Sequence, residues 1–322
     1  MHKIEQILVP VDFSSFSRSA LAFARQLGNS PEKMGKRAHL QLAHAVEAMP
    51  PYVRSVLFPY AALGEDDRRF EAEIVESVRA ELRHYFEIDD ELAERFVDEP
   101  AVEFGFGKEW IERWAGQFDV EMIVVGAFGK QGVFTGGPGS TSRRVAATAS
   151  KPVALVRDYD PVPTIARILA AVDLGTDTKE VLDVAVGLAA DLGAELEIMH
   201  VIASPFVDDA RGLVKRCVAV DEAEIEEQVR PSLTALMQEF VDEIEIPFSA
   251  QTGDGAPIEK QLIRYGEPAR EIAEEVQQGE FDLVVIGRGG DGLGRTASAV
   301  MADVPRHLVV VPGDSSKSLL SG

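Results

Sequence analysis

The sequence predicts an α/β protein made of two tandem, doubly wound parallel five-stranded sheets, each covered by helices on both faces. Three observations predict this fold: an internal repeat with an offset of 161 residues, alternation of β and α patterns, and strands that are continuously apolar. Continuously apolar strands are buried on both faces, as in parallel sheets. Right-handed crossovers between such strands then place helices on both sides.

The internal repeat is carried by short motifs that recur at one offset. The runs ILVPVD and ILAAVD each end a predicted strand with an acidic residue, and three glycines recur at the same distance. Agreement at four points spread across both halves indicates a duplicated domain. The pairs are Asp12 and Asp173, Gly105 and Gly266, Gly126 and Gly287, and Gly129 and Gly290.

The duplicated domains are separated by a stretch with the composition of a linker. Residues 157–164, RDYDPVPT, are rich in proline and charge and lie where the repeat requires a connection. We therefore expect one domain at 1–157, a second at 164–313 and a tail at 314–322.

Each domain is predicted to contain five strands. In the first half, short apolar runs predict strands at 7–11, 39–46, 101–104, 122–126 and 153–156. In the second half, they predict strands at 168–172, 195–201, near 246–250, 283–286 and 308–311. Helical periodicity fills the intervals, for example over 178–192 and 222–241.

Composition and charge exclude several classes of partner. The 54 acidic and 32 basic residues give a net charge of −22, which repels nucleic acid and anionic membrane surfaces. The first 160 residues carry 25 acids and 19 bases, whereas the remainder carries 29 and 13, so the first half is the better host for an anionic ligand. The single cysteine, Cys217, excludes an intramolecular disulfide. Together with the charged start of the chain, it favours a cytoplasmic protein.

The strongest chemical signal follows the fourth strand of the first half. The segment GAFGKQGVFTGGPGST, 126–141, reads Gly, two residues, Gly, nine residues, then Gly and Ser. Glycines let backbone amides approach an anion closely, and a helix that begins directly after the loop favours phosphate at its amino terminus. Ser140 can also cap that helix. The spacing therefore predicts a phosphate-binding loop.

This loop resembles that of the universal stress protein family, whose ATP-binding members carry Gly-x-x-Gly, nine residues, then Gly and Ser or Thr. Gly126, Gly129, Gly139 and Ser140 match position by position. The PVDFS, LAHAV and SKPVALV segments extend the resemblance, which covers both halves. It implies a strand order of 3-2-1-4-5 in each sheet and association of the paired domains through their final strands.

The resemblance also implies the residues that contact ATP, with or without Mg²⁺ on its phosphates. Asp12 would accept hydrogen bonds from ribose hydroxyls, while Phe128 stands where several family members have a polar side chain. The residues bordering the adenosine would be Pro10, Val11, Asp12, Ala45 and Val125, and those around the ribose and phosphates Gly126, Phe128, Gly129, Gly139, Ser140, Thr141 and Ser142.

The second half departs from the motif. After Gly290 and nine intervening residues the chain has Val300 instead of glycine, and its helix starts earlier. If Gly294 begins the corresponding helix, the loop is about six residues shorter. This favours a retained fold with lost or altered phosphate binding. Asp173 is then interpreted as a helix cap as readily as a ribose ligand.

Two further pairs of residues have simpler interpretations. His44 and His200 occupy matching places in apolar strands, which favours hydrogen-bonded core histidines over ligands or bases. Arg143 and Arg144 follow the loop and could compensate phosphate charge, although solvated surface arginines are the preferred interpretation.

These observations favour a nucleotide-responsive stress protein that binds ATP in its first half and acts on a protein partner by regulated interaction. The sequence contains no Gly-x-x-x-x-Gly-Lys-Ser/Thr loop and no recognisable nucleophile and base pair, so catalysis is not expected beyond slow ATP hydrolysis. The alternatives are a slow ATPase and an interaction or carrier protein that binds no nucleotide. A homodimer of tandem chains remains open beside the intramolecular domain pair.

Overall fold

The computed structural model describes residues 4–27, 38–47, 66–86, 99–128, 138–157, 162–203, 222–243, 258–290 and 292–313. Strands and helices alternate through both halves. The first half contains β1 (Gln6–Pro10), α1 (Ser15–Gln26), β2 (His39–Val46), α2 (Asp66–Tyr85), β3 (Ala101–Phe104), α3 (Gly107–Gln117), β4 (Met122–Gly126), α4 (Ser140–Thr148) and β5 (Val153–Val156). The second half contains β6 (Arg167–Val172), α5 (Thr178–Leu192), β7 (Glu195–Ala203), α6 (Glu222–Asp242), β8 (Ile258–Gly266), α7 (Pro268–Gln278), β9 (Leu283–Gly287), α8 (Arg295–Asp303) and β10 (His307–Val311).

The strands form one continuous sheet in the order β3-β2-β1-β4-β5-β10-β9-β6-β7-β8. The expected order 3-2-1-4-5 is confirmed in the first half, and the second half repeats it in the opposite direction. Pairing within each half is parallel, whereas β5 and β10 pair antiparallel. The two five-stranded sheets therefore join through their final strands, as the resemblance implied.

An approximate two-fold axis passes through this junction. Gly126, at the end of β4, pairs with Val156 of β5, and its counterpart Gly287, at the end of β9, pairs with Val311 of β10. The two final strands therefore correspond at an offset of 155 residues. Ala154 pairs with Val309, which is its own counterpart at that offset. The offset falls from 161 to 155 between the fourth and fifth strands because the second loop is six residues shorter.

The core lies on both faces of the sheet. Ile7 and Val9 point into one apolar cluster and Leu8 into the other, because successive strand residues face opposite sides. Helices α1, α2, α5 and α6 cover the first face, and α3, α4, α7 and α8 the second. Ile168, the counterpart of Ile7, lies in the same cluster as Ile7. The two-fold axis is therefore perpendicular to the sheet.

The third strand of the second half differs from the sequence prediction. Residues 246–250 lie outside the described part of the chain, and β8, Ile258–Gly266, occupies the corresponding sheet position. The apolar run at 246–250 was misleading because β8 is an edge strand with charged residues between its apolar ones. Gly266 ends β8 as its counterpart Gly105 directly follows β3, so the repeat offset indicated the correct strand.

Candidate functional site

The candidate site lies at the carboxyl ends of β1, β2 and β4, where the winding direction of the first half reverses. Val125 belongs to the apolar cluster on the second face of the sheet, and Ala45 packs against that cluster. Pro10 lies two residues after Leu8, a member of the same cluster, so it faces the same side of the sheet. Since β1 lies between β2 and β4, these three predicted residues form one apolar surface. Such a surface suits the flat face of a planar ring.

Val11 contributes differently from its neighbour Pro10. Its side chain is only 5% exposed and lies in the cluster on the opposite face. Its backbone amide donates to the carbonyl of Ala43 at 2.8 Å, and its carbonyl accepts from Nδ1 of His44 at 2.7 Å. Any contact between Val11 and a ligand is therefore limited to backbone whose polar groups already have partners.

The carboxylate of Asp12 holds the turn between β1 and α1. Its Oδ1 accepts from the hydroxyl of Ser17 at 2.7 Å and from the amide of Ser14 at 3.1 Å. The counterpart, Asp173, accepts from the amide of Gly175 at 2.8 Å. Both acids therefore stabilise the same turn, so the recurrence of an acid at this position is explained by the fold in each half.

Phe13 is a feature of the site that the sequence did not reveal. It adopts a left-handed backbone with φ of 61°, and its counterpart Leu174 does the same at 58°. The ring packs edge-on against His44 at 4.9 Å and Tyr85 at 5.3 Å between centroids, and the Tyr85 hydroxyl donates to the Phe13 carbonyl at 2.6 Å. This aromatic support sets the direction of the chain after β1.

The two histidines confirm the simpler interpretation. Nδ1 of His44 donates to the carbonyl of Val11, and Nδ1 of His200 makes the equivalent bond to Val172 at 2.9 Å. In both halves the ring ties the second strand to the end of the first. These histidines are hydrogen-bonded structural residues.

The loop after β4 starts from tightly packed backbone. A Cβ atom at Gly126 would lie 2.9 Å from the carbonyl carbon of Phe16, so only glycine fits this approach of β4 to α1. The ring of Phe128 packs on that of Phe16 with centroids 5.1 Å apart. Gly129 and residues 130–137 lie outside the described part of the chain, so the prediction for Gly129 stays a prediction.

The far end of the loop is closed by Gly139. Its amide donates to the carbonyl of Ala127 at 2.8 Å, and Gly139 is the N-cap of α4 with a φ of −58°. The prediction that Ser140 caps this helix is wrong, because Ser140 is its first helical residue and the loop closes one residue earlier. Because α4 begins at the carboxyl end of β4, its first-turn amides, which have no partner within the helix, lie at that edge of the sheet beside the exposed Ser140 and Thr141.

Ser142 has a structural bond at the base of the loop. Its side chain is 6% exposed, and its hydroxyl donates to the carbonyl of Gly126 at 2.7 Å. A serine hydroxyl has one proton to donate. In this arrangement Ser142 therefore links α4 to the end of β4 rather than presenting a donor to a ligand.

The second half closes its loop with the same hydrogen bond. The amide of Gly294 donates to the carbonyl of Arg288 at 2.8 Å, which identifies Gly294 as the counterpart of Gly139. The loop between the bonded residues runs over 128–138 in the first half and 289–293 in the second. The second loop is thus six residues shorter although its base is unchanged.

The helix that follows the shorter loop also has different side chains. Arg295 stands where the first half has Ser140, and Ala297 stands where it has Ser142. An arginine in the first turn of a helix is unfavourable to the helix dipole, and alanine removes the bond to the strand. The second half therefore keeps the geometry of the loop base but lacks two of its hydroxyl groups.

The described residues offer limited chemistry beyond anion binding. Within them, no helix is long and apolar enough to cross a membrane, and no group of three acidic, histidine or cysteine side chains is arranged to hold a metal ion. Arg143 and Arg144 are exposed on α4, as expected for solvated arginines. The arrangement presents an apolar surface beside an exposed helix amino terminus.

Comparison with known proteins identifies relatives of both halves. The sequence model of the universal stress protein family matches residues 3–157 and again residues 164–312. No curated protein matches the chain. A functionally unknown protein from Pseudomonas aeruginosa PAO1 is 16% identical, with a TM-score of 0.60, over 97% of this chain and 93% of that chain. A universal stress protein from Archaeoglobus fulgidus DSM 4304 is also 16% identical, with a TM-score of 0.58, over 98% and 99%.

Proposed function

Because the chain belongs to the universal stress protein family, we propose that it is a nucleotide-responsive stress protein of the cytoplasm whose first domain, 1–157, binds ATP. Its output is a regulated interaction with a protein partner. The second domain, 164–313, keeps the fold without a full phosphate site. The observation that carries this proposal is the exposed first turn of α4, which begins beside the end of β4 after the complete glycine spacing.

The parts of ATP fit different parts of the site. The adenine would lie on the apolar surface of Pro10, Ala45 and Val125, with the ribose next to Asp12. The phosphates would accept hydrogen bonds from the exposed first turn of α4, where the helix dipole favours negative charge. ATP supplies the negative charge that this helix end attracts. Any Mg²⁺ would be held through the phosphates, since the described residues include no carboxylate cluster for it.

Charge and hydrogen bonding favour the first half over the second. The first 160 residues have a net charge of −6 and the rest −16. The second half also has Arg295 in place of the exposed Ser140 and a loop six residues shorter. Fewer donors and greater repulsion act together against a triphosphate. We therefore expect one tightly bound nucleotide per chain.

Regulated interaction is favoured over catalysis by the side chains at the site. Hydrolysis requires a group that orients or deprotonates water near the terminal phosphate. The side chains exposed on the first two turns of α4 are hydroxyls and arginines, and the carboxylate of Asp12 already accepts from Ser14 and Ser17. These groups hold an anion better than they activate water.

Calorimetric titration of ATP into the full chain tests the proposal. The expected result is one site per chain, with affinity falling from ATP to AMP as phosphates are removed. Phosphate release from the same sample measures hydrolysis. Absence of heat and of competition by ATP against a fluorescent adenine nucleotide would refute nucleotide binding. Two equivalent sites would refute the asymmetry, and rapid multiple turnover would replace a binding function with an ATPase.

A further inference from the structure

A buried arginine of the second half reaches the helix that begins at the candidate site. Arg288 follows β9 directly and is 8% exposed. Its Nη1 donates to the carbonyl of Ala149, the C-cap of α4, at 2.8 Å. Among the described residues its Nε finds no acceptor. The positive charge of Arg288 is therefore stabilised by the carboxyl end of α4, where the helix dipole favours a cation.

A second arginine makes the reciprocal connection. Arg157 follows β5 directly, and its Nη2 donates to the carbonyls of Met301 and Val304 at 2.8 Å each, at the carboxyl end of α8. The same guanidinium lies over the ring of Phe128, 5.4 Å from its centroid. An arginine that touches the loop of the first half thus holds the end of the corresponding helix in the second half.

The two contacts are similar in geometry but come from positions that are not equivalent. The counterpart of Arg288 in the first half is Ala127, and the counterpart of Arg157 in the second half is Pro312. A pair of first halves would have no arginine at the position of Arg288, and a pair of second halves would have none at the position of Arg157. The reciprocal contacts are therefore a property of this particular pair of halves.

From these contacts we infer that the arginine pair, Arg157 and Arg288, couples the phosphate site of the first half to the loop of the second half, 288–294. This inference rests on the proposed function, because the effector is the nucleotide bound at the start of α4. The consequence is that occupancy of the first half changes the stability of the shorter loop. By linkage, any ligand or protein that binds the shorter loop changes ATP affinity by the same factor.

The physical route is short and rigid. Helix α4 has nine residues, so its two ends are about 13 Å apart, and its first turn would bind the phosphates while its carboxyl end holds Arg288. The carbonyl of Arg288 in turn accepts from the amide of Gly294, the N-cap of α8. A displacement of α4 therefore either breaks the hydrogen bond between the buried Arg288 and Ala149 or moves the base of the second loop together with α4.

Hydrogen exchange of the full chain, with and without saturating ATP, tests the coupling. The expected result is slower exchange of amides in 289–296 with ATP, by about fivefold or more. Arg288→Met should abolish this effect while one nucleotide still binds in calorimetry. Arg270→Gln removes a positive charge from an exposed side chain of the same half and serves as the matched control. If Arg288→Met fails to fold, Arg157→Gln interrupts the reciprocal contact instead.

The outcomes separate the coupling from the proposed function. Bound ATP with unchanged exchange beyond residue 157 would overturn the coupling and leave nucleotide binding intact. If the chain does not bind ATP, the coupling is tested by hydrogen exchange of ligand-free variants. Ser142→Ala loosens the first turn of α4 and should speed exchange at Gly294 in the wild-type background but not with Arg288→Met. Equal effects in both backgrounds would overturn the coupling.

Discussion

The loop after β4 and the loop after β9 share the hydrogen bonds at their bases and differ in the residues that would contact a ligand. In both halves an acid holds the turn after the first strand, and an N-cap glycine donates to the carbonyl of the residue directly before the loop, Ala127 or Arg288. The first half spans that base with residues 128–138 and enters its helix at Ser140. The second spans it with 289–293 and enters at Arg295.

This difference shows which motif residues belong to the fold. Asp12 and Gly139 are predicted to contact ATP from the resemblance to the family, yet Asp173 and Gly294 make the equivalent backbone bonds in a half with a reduced loop. Their recurrence is therefore explained without a ligand. The features that would distinguish the proposed phosphate site are those that differ, namely the long loop and the exposed hydroxyl of Ser140.

The largest expected effect comes from Gly139→Val. The backbone of Gly139, with φ of −58°, accommodates valine, so the chain should still fold. The branched side chain would block the phosphates from the amides, and losing two charge-assisted hydrogen bonds should weaken ATP binding by about a hundredfold or more. Calorimetry of the variant measures this, with thermal unfolding as the check on folding.

Gly294→Val is the matched control for that experiment. A Cβ there would lie 3.1 Å from the carbonyl of Arg288, so this variant should lose some stability. Its ATP affinity should change by no more than the few-fold that the arginine pair would transmit, far less than with Gly139→Val. If ATP affinity instead survives Gly139→Val and disappears with Gly294→Val, the working half has been assigned wrongly.

Much of the fold could be predicted because buried parallel strands are continuous apolar runs. The apolar runs located nine of ten strands within two residues, and they failed only at β8, whose edge position allows charged residues between its apolar ones. The offset also aligns Glu121 with Asp282, two acids that accept from amides at or beside the start of β1 and β6. Strand-end motifs do not mark this pair, because the two acids precede β4 and β9 instead of ending a strand.

The site was less predictable because several of its contacts use backbone. The closure of the loop on the carbonyl of Ala127 leaves no mark in the residue types, and neither does the left-handed conformation of Phe13. The hydrogen bond from Ser142 to Gly126 could not be predicted because the sequence does not show which side of α4 faces β4. Arg157 and Arg288 act across the junction, so only the paired halves reveal them.

The junction also differs between the halves at His307, whose counterpart is Pro152, and this predicts a pH dependence. Burial lowers the pKa of His307 from 6.5 to about 4, with Asp282 opposing the shift and Arg157 and Arg306 adding to it. Between these values the unfolded chain binds a proton that the folded chain does not. Stability from neutral His307 is therefore complete above pH 6.5 and lost as pH falls toward 4, by about 3 kcal/mol.

Chemical denaturation at several pH values, compared between wild type and His307→Gln, isolates this contribution from that of the carboxylates. The free energy of unfolding of the wild type should fall relative to that of the variant, by about 3 kcal/mol, as pH falls from 6.5 to 4. Parallel stability curves over that interval would show that His307 does not titrate as its burial implies.

A smaller effect distinguishes the glycines that end β4 and β9. A Cβ at Gly126 would lie 2.7 Å from Cβ of Phe16 and 2.9 Å from its carbonyl carbon, whereas at Gly287 it would meet only a methyl of Val181 at 3.3 Å. Gly126→Ala should therefore lower the free energy of unfolding by about 2 kcal/mol, and Gly287→Ala by less than about 1 kcal/mol. Equal losses in urea denaturation would mean that both strands approach their helices equally closely.

The smallest effect concerns the hydroxyl that only the first loop base possesses. Ser142→Ala removes the donor to the carbonyl of Gly126 and should lower the free energy of unfolding by about 1 kcal/mol. The converse change, Ala297→Ser, places a hydroxyl at the matching position in α8, which is 2% exposed. If it reaches the end of β9 as Ser142 reaches β4, its stability should stay within about 0.5 kcal/mol of wild type, because the new bond offsets the burial of a polar group. A large loss from Ala297→Ser in urea denaturation would show that the second loop base, despite its shared hydrogen bond, is packed too tightly to accept the chemistry of the first.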